Sequence, residues 1–246
     1  MADYQVPFHR AEAVGRELEY VAEALRSGHI GAGGPFGTRC ADLLRRDLGA
    51  QRVLMTKSCT AALELMALLL ELRPGDEVIL PSFAYVTTAS AFALRGVKPV
   101  FADVTPNALN LDPRSVEDHL SARTRAIVAL HYAGVPCAMD ELCALSERAG
   151  AALVEDNAHG LYGSYRGRQL GSIGRMSSMR FHETKTLTTG EGGTLALNDP
   201  RDLERAEVLL QKGTNRADFL RGQVAKYCWV DLGSSFELSE LHAAFL

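Results

Sequence analysis

Several apolar runs of this sequence end in side chains that are able to do chemistry. Lys185 lies in the short polar stretch FHETKTLTTGEGG, and Glu155 and Asp156 come near the end of the apolar run AALVEDNA. If that run is a strand, the two carboxylates point to opposite faces and cannot share one role. A carboxylate at a buried strand end needs a cationic partner. A lysine on a loop is more often a solvated charge, so its meaning depends on its neighbours.

Polar and aromatic residues follow other apolar runs in the same way. In TKSCTAALE, Ser58 and Thr60 flank Cys59 at the predicted start of a helix, which is either a plain helix cap or an anion-binding site. Tyr85, in PSFAYVTTA, is able to stack on a flat ring or to pack as a half-buried aromatic. His159 follows Asp156 by three residues and is able to reach the same pocket.

Taken together, these residues match the chemical needs of pyridoxal 5'-phosphate. The helix N-terminus accepts the phosphate and the aromatic side chain accepts the ring. A carboxylate keeps the pyridine nitrogen protonated, so that the ring acts as an electron sink, and a lysine forms an imine with the aldehyde. His131 and Tyr132, after another apolar run, are compatible equally with function and with packing.

The order of apolar runs indicates how these residues are brought to one edge. Continuous apolar runs alternate with helical patterns, which predicts strands buried on both faces of a mostly parallel sheet. In such a sheet ligands bind beyond the carboxyl ends of the strands. The predicted strands are RVLMT, EVILPSF, KPVFADV, RAIVALH, AALVEDNA and EGGTLAL, and the predicted helices include AALELMALLLELRPGD, VTTASAFALRG and MDELCALSERAGA.

Composition and charge exclude several other classes of protein. The 246 residues are 47% hydrophobic and 23% charged, with a net charge of −4, which gives no electrostatic basis for binding nucleic acid or an anionic membrane. The longest apolar stretch is too short and too interrupted to span a bilayer, and the N-terminus lacks a signal-peptide layout, which favours a cytoplasmic protein. The five scattered cysteines suit neither a disulfide framework nor a zinc site, the seven histidines show no HExxH spacing, and no metal is predicted.

Several sequence stretches, in this order, resemble the DegT-type sugar-nucleotide aminotransferases, a family of fold-type I pyridoxal-phosphate enzymes. They are SCTAALE, LRPGDEVILPSFAYVTTASAFALRG, HYAGV, VEDNAHG, FHETK, GEGG and KGTNRADFLRGQVAKYCW. The resemblance runs from VPFHRAEAVGRELEYV to GSSFELSELHAAFL. It implies an α/β three-layer sandwich with a mostly parallel central sheet, like the large domain of aspartate aminotransferase.

The resemblance also implies a role for each residue of the predicted pocket. Lys185 corresponds to the lysine that binds the cofactor covalently, and Asp156 to the partner of the pyridinium nitrogen. These two are the predicted catalytic residues. The predicted cofactor-binding residues are Ser58, Cys59 (through its backbone), Thr60, Tyr85, Asp156, His159, Arg180 and Lys185.

Three positions depart from the family pattern. Arg180 stands five residues before the lysine, where the family usually has a phosphate-contacting serine. An arginine is able to pair with a phosphate directly, but it is bulky beneath the cofactor. Thr186 replaces a frequent asparagine after the lysine, and Ser235 stands where the family often has an asparagine that reaches the neighbouring subunit.

The resemblance implies the reaction and its partners as well. The expected reaction is transfer of an amino group from glutamate to a 4-keto-6-deoxy sugar nucleotide, converting dTDP-4-keto-6-deoxyglucose to dTDP-4-amino-4,6-dideoxygalactose, for cell-surface polysaccharide biosynthesis. A homodimer with shared active sites is expected. Candidate substrate contacts are His182, Asn215, Arg216 and Arg221. His182 is equally able to pack under the loop, and the other three to lie in a solvated loop or at a dimer interface.

The expected domain organisation is an N-terminal arm over residues 1–35 and a cofactor-binding large domain over residues 36–246. Family members continue into a small C-terminal domain, so we expect this chain to be truncated after Leu246. The truncation and Arg180 favour an alternative function: an inactive or partial remnant that binds cofactor without turnover.

Two other functions fit the sequence less well. A pyridoxamine-phosphate sugar dehydratase carries histidine at the position of Lys185, which argues against that activity. A generic nucleotide-binding domain is disfavoured because no GxGxxG follows a predicted strand; GAGGPFG precedes the first one.

Overall fold

The computed structural model of the chain describes residues 9–246. The strands in this range are β1 (Arg52–Thr56), β2 (Glu77–Pro81), β3 (Lys98–Ala102), β4 (Thr124–Leu130), β5 (Ala152–Asp156), β6 (Ser164–Tyr165), β7 (Arg168–Gln169), β8 (Met176–Arg180) and β9 (Gly193–Leu197). The helices are α1 (Glu17–Ser27), α2 (Pro35–Leu48), α3 (Cys59–Leu69), α4 (Thr87–Ala93), α5 (Pro113–His119), α6 (Met139–Ala149), α7 (Leu203–Leu210), α8 (Arg216–Leu220) and α9 (Glu240–Phe245).

Seven of these strands form one sheet, in the order β1-β9-β8-β5-β4-β2-β3, and β6 pairs with β7 in a separate hairpin. Strand β9 is antiparallel to both of its neighbours, while the remaining pairs are parallel. The carboxyl ends of the other six strands therefore meet at one edge of the sheet. The amino end of β9 lies at the same edge, because Gly193 pairs with Thr56 and with Arg180.

Helices cover both faces of the sheet. Successive side chains of a strand point to opposite faces, and most strands carry apolar side chains on both. Val78 and Leu80 of β2 pack with α3, α4 and α7, whereas Ile79 between them packs with α5 and α6 on the other face. Helices α1, α2 and α9 extend that second helical layer over β1 and β8. The structure is the three-layer α/β sandwich with a mostly parallel sheet that the sequence predicts.

Two features of the sheet differ from the sequence-based expectation. Strand β8 was missed, because its segment MSSMR has two serines where the other strands have apolar residues; both are fully buried. The segment containing β9 was correctly expected to be a strand, but its antiparallel direction leaves no mark in its apolar pattern. The expected arm and large domain, residues 1–35 and 36–246, stay predictions; residues 1–8 lie outside the described residues.

Gly193, the first residue of β9, lets two segments of the site edge approach closely. A Cβ atom on Gly193 would lie 2.5 Å from the backbone nitrogen of Cys59 and 2.5 Å from the carbonyl carbon of Ser58. Both contacts are with backbone atoms, which cannot rotate away. The turn before α3 is therefore seated directly on the start of β9, which fixes the N-terminus of α3 at the sheet edge.

Replacing Gly193 with alanine is expected to destabilise the fold by about 1–3 kcal/mol, the usual cost of forcing extra volume into a packed region. Urea unfolding followed by circular dichroism measures this. Gly31→Ala is the matched control, because a Cβ there would meet no atom within 4 Å. Equal stability of the two variants would contradict this account of Gly193.

Candidate active site

A cavity of about 290 Å³ opens at the carboxyl edge of the sheet. The segments that line it follow β1, β2, β4, β5 and β8, as the parallel topology requires. All eight residues predicted to bind a cofactor line this one cavity: Ser58, Cys59, Thr60, Tyr85, Asp156, His159, Arg180 and Lys185. The structure thus brings together residues that are up to 127 positions apart, from Ser58 to Lys185 (185 − 58 = 127).

Asp156 ends β5 with only 2% of its surface exposed. Thr88 of α4 donates a hydrogen bond to its Oδ2 over 2.7 Å, and the backbone N–H of Ala158 donates to Oδ1 over 3.2 Å. These bonds compensate for burial of the carboxylate and fix its orientation toward the cavity. The side chain is therefore a preorganised acceptor for a cationic N–H group of a ligand.

Glu155, the preceding residue, points to the opposite face and is fully buried. It accepts a hydrogen bond from Nε2 of His131 over 2.8 Å and three more from the backbone N–H groups of Gly171, Ile173 and Gly174. Burial alone would raise the pKa of Glu155, but the bonds from His131 and the backbone outweigh it and lower that pKa. Glu155 therefore anchors loops behind the site, and His131 has a packing role.

Lys185 lies on the loop that joins β8 to β9. The loop is folded back on itself, because the backbone of Thr189 donates to Phe181 and that of Lys185 donates to His182. Partial burial lowers the pKa of the Lys185 amine, and the positive charge of Arg180 lowers it further. A lowered pKa increases the fraction of neutral, nucleophilic amine at a given pH.

The N-terminus of α3 reaches the cavity from β1. Ser58 is the cap of this helix, and its Oγ accepts a hydrogen bond from the backbone N–H of Ala61 over 3.0 Å. Thr60 lines the same cavity. Burial, with the charge of Asp156, raises the pKa of the Cys59 thiol, so this side chain remains a neutral thiol. An anion placed here would face the positive end of α3.

Two aromatic contacts shape the open side of the cavity. Tyr85 is 61% exposed, and the guanidinium carbon of Arg180 lies 5.2 Å from the centre of its ring. His159 stands edge-on to Tyr132, with ring centres 5.4 Å apart, and its Nδ1 accepts the backbone N–H of Ala133. Burial and the nearby cations Lys185 and Arg180 lower the pKa of His159, which favours the neutral ring.

A second cavity, of about 320 Å³, adjoins the first. Its lining shares Tyr132, His159, Arg180 and Lys185 with the first cavity, and adds Thr184 and other residues of the lysine loop. Lys185 and Arg180 therefore line both cavities.

Of the four candidate substrate residues, only His182 lies close to Lys185 in the structure. His182 lies on the lysine loop, where Nδ1 accepts the backbone N–H of Thr184 and Nε2 is 3.4 Å from Glu191. Asn215 and Arg221 line a separate cavity, and Arg216 lines another. Arg221 is paired with Glu207 and Asp218. A role of these residues in substrate binding stays a prediction.

Two residues at the site were not identified from the sequence. Thr88 holds Asp156, and Glu191, in the motif GEGG, lines the cavity and is close to His182. Thr88 lies in the first turn of α4, and its bond to Asp156 leaves no local signal in the sequence. Tyr132, which the sequence leaves compatible with function or with packing, lines both cavities.

The match to a family profile covers residues 12–246, nearly the whole chain, and its description is the DegT/DnrJ/EryC1/StrS aminotransferase family. The chain belongs to this family. Among relatives, the DegT-family chain is 37% identical over 205 residues to the spore coat polysaccharide biosynthesis protein SpsC of Bacillus subtilis. The aligned region covers 83% of this chain and 52% of SpsC. It thus spans about half the length of that relative.

Solved structures resemble the DegT-family chain closely. The putative sugar aminotransferase Spr1654 of Streptococcus pneumoniae, in its PLP form, superposes with a TM-score of 0.89 at 26% identity, covering 98% of this chain and 65% of that one. DesI in the presence of its TDP-sugar product gives a TM-score of 0.85 at 32% identity, covering 96% of this chain and 57% of that one. The likeness extends over the sheet and both helical layers.

Two classes of feature are absent from residues 9–246 of the DegT-family chain. No group of three or more His, Cys, Asp or Glu residues there is arranged to hold a metal ion. No helix in this range has the length and apolar character needed to cross a membrane.

Replacing Thr88 of the DegT-family chain with valine should destabilise it by about 1–3 kcal/mol, because a buried carboxylate loses a hydrogen-bond donor while the side-chain shape is kept. Urea unfolding at pH 7 measures the loss. Thr87→Val is the control, because this neighbouring threonine lines the cavity but makes no side-chain hydrogen bond within residues 9–246. An equal loss in both variants would argue against the Thr88–Asp156 bond.

The lowered pKa of Lys185 predicts its reactivity. Labelling with a limiting amine reagent across a pH series, read by mass spectrometry of the Lys185 peptide, should give a midpoint below the ordinary value of 10.5. Unfolding in urea removes the burial and the nearby charge, and so should return the midpoint to that value. The same midpoint in the folded and unfolded chain would be inconsistent with the site.

Proposed function

We propose that this chain is the cofactor-binding part of a pyridoxal-phosphate-dependent sugar-nucleotide aminotransferase. The observation that carries the proposal is the single cavity lined by the Lys185 amine, the Asp156 carboxylate and the N-terminus of α3. Each of these groups suits a different part of one small molecule. The family membership and the PLP form of Spr1654 support the same assignment.

The chemistry of the donor set fits pyridoxal 5'-phosphate. The amine with a lowered pKa suits an aldehyde, the buried carboxylate suits a protonated ring nitrogen, and the helix N-terminus suits a phosphate. Tyr85 offers a ring face at the cavity mouth. When bound, the cofactor supplies an aldehyde that captures an amine and a ring that accepts electrons.

In this proposal the protein's own residues orient the cofactor and hold or move protons at named atoms. Lys185 is the residue that would hold the cofactor's aldehyde carbon through Nζ and, as a neutral amine, would move a proton at the α-carbon of an amino donor; proton transfer of this kind contributes about 10²–10⁴-fold to a rate. Asp156 holds a proton on the ring nitrogen, while its hydrogen bond from Thr88 keeps the carboxylate in place. His159, kept neutral by its surroundings, is available as a donor or acceptor beside the ring.

The proposed substrates are inferred from the relatives. The structure of DesI was determined in the presence of its TDP-sugar product, and SpsC is a spore coat polysaccharide biosynthesis protein. We extend this to a 4-keto-6-deoxy sugar nucleotide as amino acceptor, namely dTDP-4-keto-6-deoxyglucose, with glutamate as donor. A cytoplasmic homodimer with residues 36–246 as the cofactor domain completes the proposal. The second cavity beside Lys185 offers space for a sugar or an amino acid.

The first test is cofactor binding by the purified chain. Adding pyridoxal 5'-phosphate should produce a visible absorbance band, and borohydride reduction should attach the cofactor to the Lys185 peptide. Lys185→Ala should abolish both, while Lys98→Ala, at an exposed lysine paired with Glu77, should keep both. An unchanged band in Lys185→Ala would contradict the assignment of this amine.

The second test is turnover with glutamate and dTDP-4-keto-6-deoxyglucose, followed by mass spectrometry of the amino sugar. Asp156→Asn should keep cofactor binding but lose most of the turnover, because the amide cannot hold the ring nitrogen in its protonated form. Turnover like that of the unmodified chain would refute this role of Asp156. Cofactor binding by the unmodified chain without turnover would favour a binding remnant over an enzyme.

A further inference from the structure

Arg180 is a cation in the cavity that has no anionic partner in the described part of the chain. Its only close contact of a specific kind in residues 9–246 is with the ring of Tyr85, 5.2 Å from the guanidinium carbon to the ring centre. The side chain is partly buried and lines both cavities. Stacking uses the face of a guanidinium, so the N–H groups at its edge remain able to donate hydrogen bonds.

Two other partly buried arginines, Arg175 and Arg205, are satisfied by carboxylates. Arg175 makes two hydrogen bonds with Asp202, and Arg205 binds Asp231. Arg180 differs although its charge is felt in the cavity, where it contributes to the lowered pKa values of Lys185 and His159. A charge taken partly out of water without a partner is costly, and a site that retains it is suited to a ligand of opposite charge.

The two carboxylates that line the same cavity, Asp156 and Glu191, make no ion pair with Arg180 within residues 9–246. Asp156 accepts bonds from Thr88 and Ala158, and Glu191 is paired with His182. Within the cavity, Arg180 is accompanied by a second cation, Lys185, and by the positive end of α3 with its cap Ser58. The surroundings of Arg180 therefore favour a small, strongly charged oxyanion.

We propose that Arg180 binds the phosphate group of the cofactor through its guanidinium N–H groups, together with the N-terminus of α3. This deepens the proposed function and rests on it. A guanidinium presents parallel N–H donors that match two phosphate oxygens, which a serine hydroxyl does not. The chain thus recognises the phosphate through its negative charge, and binds the phosphorylated form of the cofactor much more tightly than the unphosphorylated form. The shared oxyanion chemistry would also suit the carboxylate of the amino donor, so the test separates the two.

The experiment measures dissociation constants of the apo-chain for four probes: inorganic phosphate, pyridoxal 5'-phosphate, pyridoxal without phosphate, and glutamate. Arg180→Met removes the charge and keeps much of the length, and Arg180→Lys keeps the charge without the planar donors. Arg166→Met is the matched control, because Arg166 stacks on Tyr165 at 5.5 Å and lies outside both cavities. Thermal unfolding of each variant verifies that it is folded.

Arg180→Met is expected to weaken binding of both phosphate probes about 10- to 100-fold, the usual effect of losing a charge-assisted hydrogen bond. Pyridoxal should bind as before, Arg180→Lys should lie between, and Arg166→Met should match the unmodified chain. Equal weakening of pyridoxal and its phosphate, no weakening, or no phosphate binding by the unmodified chain would overturn the proposal. So would a loss confined to the apparent affinity for glutamate, which would assign Arg180 to the donor carboxylate.

The same titrations separate this proposal from the proposed function. If the unmodified chain binds inorganic phosphate through Arg180 but pyridoxal 5'-phosphate acquires no visible band, the role of Arg180 stands and the role of Lys185 fails. If the band forms and Arg180→Met leaves phosphate binding unchanged, the role of Arg180 fails and the cofactor assignment stands.

Discussion

Two consecutive buried carboxylates at the end of β5 constrain the rest of this structure. Glu155 and Asp156 are 0% and 2% exposed, and each must be compensated from its own side of the sheet. Glu155 accepts four hydrogen bonds, from His131 and from three backbone N–H groups, and so holds those segments in place. Asp156 takes only two, from Thr88 and Ala158, and faces a cavity. The difference in donor number separates a structural carboxylate from one with capacity left for a ligand.

The charges of the cavity form a balanced set in which each group alters the others. Burial and the charge of Arg180 both lower the pKa of Lys185, and burial with these two cations lowers that of His159. Asp156 acts in the opposite direction on both groups. A lowered pKa of the lysine favours its neutral amine, which is the form able to attack an aldehyde, because a protonated amine is not a nucleophile.

Much of the fold and of the cofactor pocket could be predicted from the sequence, because both depend on local patterns. The strand RVLMT was predicted correctly, and the parallel topology brings the polar residues after several apolar runs to one cavity at the sheet edge. Strand β8 could not be predicted in this way, because its two buried serines interrupt the apolar pattern that identifies the other strands. Thr88 was equally hidden: its bond to Asp156 joins residues 68 positions apart and leaves no local pattern.

Strand β9, which runs antiparallel to its neighbours in the seven-stranded sheet, explains why Lys185 lies at the carboxyl edge of that sheet. A parallel connection leaves the carboxyl edge through a helix and returns at the opposite edge, so only its first residues remain near the site. Because β9 runs antiparallel to β8, the segment between them starts and ends at the same edge, as the pairing of Arg180 with Gly193 requires. Both ends of the loop that carries Lys185 therefore lie at this edge, and Lys185 itself lines the cavity. Gly193 then brings the α3 turn against this loop, so that the amine and the anion-binding end of α3 are set by one strand.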